Sequence, residues 1–144
     1  MGCCTPAPKN IVIETTVLRI EGETCDRCNA TVDNARIAAE QLKAQLKPLG
    51  VEVALVGHAA TMENLADSNS VIINGTPIEE WLSATRVSTE CASCGDLCGE
   101  EGVCCGAVSI DDEVHESYSV EHIRDAAMSA LGAVLSGGGG SCCS

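Results

Sequence analysis

The sequence predicts a single α/β domain of order β-α-β-β, a cysteine-rich insertion, then β-α. Three observations carry this. A β-branched apolar run, "NIVIETTVLRI", leads through a short link into residues with a helical period. Two further short β-type runs follow. A second helical pattern comes after a stretch of fifteen residues, Cys91 to Cys105, that holds five cysteines. The expected layout is a flexible tail over 1–9, a domain over 10–135 with its insertion at 88–106, and a Gly-rich tail over 136–144.

The first run is apolar on both faces and reads as an internal strand. After "EGETCDRC", the segment from Asn29 places Val32, Ala35, Ala39, Leu42 and Leu46 on one helical face. Pro48 and Gly50 stop this helix. "VEVALVG" is a second strand, and "MENLADS" could form a helical turn. "SVIING" is a third strand ending in the turn signal Asn74–Gly75. "TPIEEWL" reads as a short helix, with Thr76 as cap, Pro77 in the first turn and Glu79 closing a capping box. "AVSIDDEVHESY" reads as a strand or hairpin bent near Asp111–Asp112. The last helix starts near Ser119 and sets Ile123, Ala126, Ala127, Ala130, Leu131 and Val134 on one face. Gly137 to Gly140 read as a flexible linker.

The 144 residues suit one compact domain and its tails. Aromatics are nearly absent, with Trp81, Tyr118 and no Phe, so Ala and aliphatic side chains must fill the core, with Met62 and Met128 expected there. The net charge of −13 argues against nucleic acid and against anionic membrane surfaces as partners. Solubility is the first account of this acidity, and tolerance for cationic ligands is the functional one. No apolar run reaches the roughly 18 residues of a membrane span. No secretory signal is visible, and Pro6 stands where an acylated "MGCC" start would need Ser or Thr. The expected location is therefore the reducing cytoplasm. Eleven cysteines cannot all pair within one chain, and in that compartment clustered cysteines serve as metal ligands or redox groups.

Cys25-Asp26-Arg27-Cys28 falls between the first strand and the first helix. A thiolate there gains from the helix dipole and from unpaired backbone N–H groups. Arg27 acts in the same sense, Glu23 and Asp26 against it. Cys91, Cys94, Cys98, Cys104 and Cys105 form the densest cluster, interleaved with glycines. Four such thiolates suit Zn²⁺, in a knuckle that holds the insertion closed, or a softer ion such as Cu(I). An iron–sulfur cluster is the weaker option, because the spacing matches neither ferredoxin pattern. His58, His115 and His122 show no paired ligand spacing and read as ordinary surface or strand residues.

Cys3–Cys4 and Cys142–Cys143 lie on the two tails. Adjacent cysteines close a disulfide only through a strained ring, so they stay available as thiols. On a mobile tail, both sulfurs can turn toward one ion. Two thiolates suit linear Hg(II) or Cu(I), and a third from elsewhere would suit As(III).

"LRIEGETCDRCNATVDNARIAAEQLK", "SVIINGTPIEEWL", "ECASCGDLCG" and "SVEHIRDAAMSAL" together resemble the DUF2703 group of bacterial and archaeal proteins, over roughly residues 11–132. That resemblance implies a thioredoxin-like fold with Cys25 and Cys28 at the redox-motif position. Thr24, Asp26 and Arg27 depart from the thioredoxin motif. Asn69–Ser70 stand before the third strand, where thioredoxins carry a cis-proline. The "SCCS" end is similar to the cysteine-pair termini of mercuric reductases and of an arsenic metallochaperone.

The expected function is thiolate binding of a soft metal or metalloid, Hg(II) or As(III), for resistance, sequestration or transfer, with a metal-accepting or redox protein as partner. The rival is a dithiol–disulfide oxidoreductase with Cys25 as nucleophile and Cys28 as resolving thiol. A zinc-stabilised interaction module is the third option. Whether the chain is an enzyme is left open by the sequence.

Overall fold

The structure, a computed structural model, describes residues 10–20, 22–61, 63, 68–91, 99 and 104–138, with backbone alone at 104–105 and 135–138. Strand β1 (Asn10–Leu18) leads into helix α1 (Asp26–Leu46), and β2 (Glu52–Ala60) returns parallel to β1. Parallel neighbours need a crossover, and α1 supplies it. Strand β3 (Ser70–Ile73) runs antiparallel to β1 on its other side, with Ile13 opposite Ile73. The two-residue β4 (Thr76–Pro77) pairs with β3. The sheet order is therefore β2-β1-β3-β4. After the short α2 (Ile78–Leu82), a second antiparallel sheet forms from β5 (Thr85–Glu90), β6 (Cys104–Ile110) and β7 (Glu113–His115). Helix α3 (Val120–Gly138) ends the described chain. The first sheet with α1 and α3 is a thioredoxin-like α/β core.

Helices α1 and α3 touch each other and both touch β1. The core between them and the sheet is built as the composition requires. Ala35, Ala38 and Ala39 of α1 and Ala126, Ala127 and Ala130 of α3 are buried beside Ile11, Ile13, Val71, Ile73, Leu42 and Ile123. Small side chains let backbones approach closely, which compensates for the missing aromatics. Tyr118 is the largest fully buried side chain.

Several expectations are corrected. Strand β1 is buried on one face, through Ile11, Ile13, Thr15 and Val17, while Val12, Glu14 and Thr16 are half-buried. Helices cover one side of this sheet, so the strand alternates instead of burying both faces. Helix α1 starts at Asp26, which puts Cys28 in its first turn. Thr76 is no cap: it pairs with Ile73 in β4, and α2 begins after Pro77 with no side-chain cap bond. Met128 is 48% exposed, on the solvent side of α3. Helix α3 continues through Gly137 and Gly138, the first two glycines of the expected linker. The insertion is flanked by a strand that the sequence reading lacked, because "TRVSTE" is short and polar on one side, and Glu90 of β5 pairs with Cys104 of β6.

Other elements follow their local chemistry. Helix α1 passes into a 3-10 turn over Lys47–Leu49, closed by Gly50 at φ 72°. Asn74 and Gly75 both take positive φ, as do Asp111 and Asp112, which gives the two tight turns that the sequence signals. Ser119 Oγ accepts the His122 N–H, and His122 Nδ1 accepts the Ser119 N–H, a reciprocal cap for α3. Most of "MENLADS", including Met62, lies outside the described residues.

Candidate functional site: three cysteines at the head of α1

Cys25 is the N-cap of α1. Its backbone is extended, and its Sγ accepts the Cys28 N–H at 3.4 Å. This is the position at which a helix presents unpaired N–H groups, and a sulfur there gains as a thiolate. The site lies at the carboxyl end of β1, where Val17 and Leu18 wall it. In open α/β sheets, ligand sites gather at that end.

The sequence assigns Cys91 to the insertion cluster. The structure places it with Cys25 and Cys28 instead. All three belong to one apolar cluster with Val17 and Leu18, packed by Ile20 and Val32. Cys25 is 2%, Cys28 0% and Cys91 4% exposed. Among the described residues, no three His, Cys, Asp or Glu side chains are disposed as a ready metal site. Side chains of Cys104 and Cys105, and all of Cys94, Cys98, Cys3, Cys4, Cys142 and Cys143, lie outside the described residues.

A cleft of about 490 Å³ opens beside the cluster and is lined by Cys91, Asp26, Arg27, Glu90 and Glu116, among others. Cys91 is the one of the three thiols that reaches it. A second cleft, about 390 Å³, lies at the opposite end of β1 with Lys43 and Lys47 and holds no thiol.

Two residues hold this arrangement in ways the sequence reading did not assign them. The Arg27 guanidinium donates to Thr89 Oγ1 at 2.7 Å, to Glu90 O at 3.0 Å and to Glu116 Oε1 at 3.1 Å. It thus joins the first turn of α1 to β5 and to the segment after β7. Asn69 is fully buried at φ 55°. Its amide donates to Gly106 O and Glu116 O, both at 2.7 Å, and its Oδ1 accepts from Thr31 Oγ1 of α1. Beneath it, Arg86 donates to Asn69 O at 3.1 Å and faces Glu79 at 3.7 Å. Tyr118 adjoins this pair, and burial, reinforced by the Glu79 carboxylate, pushes its phenol well above the usual range. The only sequence signal for Asn69 was its place before β3, since Asn tolerates positive φ.

His115 and His122 also meet, with ring centroids 5.0 Å apart at 76°. Burial and the neighbouring His115 lower the His122 pKa from its ordinary value. No described helix is long and apolar enough to cross a membrane.

The model of the domain of unknown function DUF2703 matches residues 11–127. A protein of Archaeoglobus fulgidus described as uncharacterized is 34% identical over 110 residues, covering 74% of this chain and 77% of that one. No solved structure matches the chain. With the family model spanning both sheets, α1, the start of α3 and all three buried thiols, the chain belongs to the DUF2703 family.

Proposed function

We propose that this protein binds soft, thiophilic metal or metalloid ions in the cytoplasm, for sequestration or transfer, at Cys25 and Cys28. The single observation that carries the reading is the burial of the N-cap Cys25 and its first-turn neighbour Cys28 beside a third cysteine, Cys91, in one apolar cluster. Soft ions prefer thiolates, and an apolar wall protects the metal–sulfur bond from water. The carboxylates of Asp26, Glu90 and Glu116 around the cleft favour the approach of a cation. The tail pairs Cys3–Cys4 and Cys142–Cys143 would capture and pass on the ion. Cys94, Cys98, Cys104 and Cys105 would hold the insertion on Zn²⁺.

The same burial weighs against a disulfide reductase. A reductase nucleophile must reach a sulfur on another protein, and Cys25 is 2% exposed. A small ion needs far less room.

The test is competition for Hg(II) between the reduced full-length protein and a dithiol chelator. Replacing both Cys25 and Cys28 by Ser should weaken binding by about tenfold or more. Unchanged affinity, together with turnover of a model disulfide that depends on Cys25, would overturn the reading in favour of the reductase.

A further inference from the structure

We propose that Cys91 is the third ligand of this site and that the site takes a trivalent, three-coordinate metalloid of the arsenite class. This rests on the reading of Cys25 and Cys28 as a soft-ion site.

The argument is one of charge. The walls around the three sulfurs are Val17, Leu18, Ile20 and Val32, and such an environment penalises any net charge left on a bound complex. The Arg27 guanidinium, which donates to Glu90 O beside Cys91, is already paired with the Glu116 carboxylate at 3.1 Å, so its charge is met before any ion binds. Three thiolates on a trivalent centre make a neutral complex. Three thiolates on Hg(II) leave one negative charge, as they do on Zn²⁺. Among three-sulfur complexes, the neutral, pyramidal one is therefore the species this cluster accommodates at least cost.

The chemistry balances without an oxidant. Arsenous acid, As(OH)₃, condenses with three thiols: three As–O bonds break, three As–S bonds form, and each thiol proton leaves with a hydroxide as water. Arsenic stays trivalent throughout. Arsenous acid is uncharged in neutral water, so the acidic cleft at Cys91 does not repel it. As arranged, the sulfurs are not at ligand spacing. Binding therefore requires the three sulfurs to move together, and because each cysteine has a single side-chain torsion, fixing them costs little conformational entropy.

The experiment is arsenic-edge X-ray absorption on the reduced full-length protein with one equivalent of arsenite, repeated on Cys91→Ser, Cys91→Ala and the Cys25→Ser/Cys28→Ser double variant. The wild type should show three sulfur neighbours per arsenic. Both Cys91 variants should show two sulfurs and one oxygen, with affinity lower by about tenfold or more. The alanine variant buries no unsatisfied hydroxyl and so guards against a folding defect in the serine variant. Two sulfurs and one oxygen in the wild type would overturn the proposal and leave the Cys25–Cys28 pair intact as a soft-ion site. Three sulfurs retained in both Cys91 variants would also overturn it. If the double variant then matches the wild type as well, the soft-ion reading of Cys25 and Cys28 falls with it.

Discussion

Replacing Asn69 by glycine should remove the clamp that holds the second sheet, and with it Cys91, against α1. The magnitude follows from what the side chain does. Its amide makes two 2.7 Å hydrogen bonds to the carbonyls of Gly106 and Glu116, and its Oδ1 receives the Thr31 hydroxyl. Each such bond is worth about 1 kcal/mol net, so the loss is about 3 kcal/mol. Gly106 O keeps a long contact of 3.4 Å from Arg27, which moderates the loss slightly. Glycine accepts the φ of 55° but adds unfolded-chain entropy worth about 0.4–1 kcal/mol. Alanine instead meets a left-handed backbone at a cost of about 1–2 kcal/mol. Both variants should therefore lose about 3–5 kcal/mol, with glycine the milder. Urea unfolding followed by far-ultraviolet circular dichroism, under reductant, measures this. Alkylation of Cys91, now 4% exposed, should also speed up in both variants. A loss below about 0.5 kcal/mol in both, with Cys91 no faster, would refute the assignment of Asn69 as the clamp.

Two further predictions concern the same framework. Gly106→Ala should destabilise by about 1–3 kcal/mol, because a Cβ there would lie 2.7 Å from the Ser68 carbonyl and against the Arg86 guanidinium; a urea midpoint within error of the parent would contradict it. Stability should fall as pH drops below the ordinary His value of 6.5, because His122 binds its proton less readily folded than unfolded, so the unfolded chain takes up more protons in that window. The contribution is at most about 1.4 kcal/mol per pH unit. His122→Gln should flatten that part of the pH–stability curve, and an unchanged curve would show that His122 is not its source.

The legible parts of the fold were those that depend on neighbours in sequence. Asn74–Gly75 and Asp111–Asp112 announce turns because their side chains tolerate positive φ, and both turns form. The place of Cys25 between a strand and a helix follows from periodicity alone, and Cys25 caps that helix, while Cys28 falls inside its first turn. Thr76 misleads because its backbone is recruited by Ile73 into β4, a tertiary demand that overrides the capping pattern. Cys91 was read with its neighbours in the insertion because no local rule links it to Cys25. Their proximity depends on β5 pairing with β6 and on Arg27 reaching Thr89 and Glu90 across the two sheets. Arg27 itself looked like a charge beside a thiol. Its structural role appears only once the carbonyls it serves have been brought to it.

The most direct test of the account is a crystal of the reduced full-length protein grown with one equivalent of arsenite, with data collected at the arsenic edge. The account predicts one dominant anomalous peak bonded to the Sγ atoms of Cys25, Cys28 and Cys91. A dominant peak elsewhere, with those three sulfurs bearing no arsenic, would contradict it.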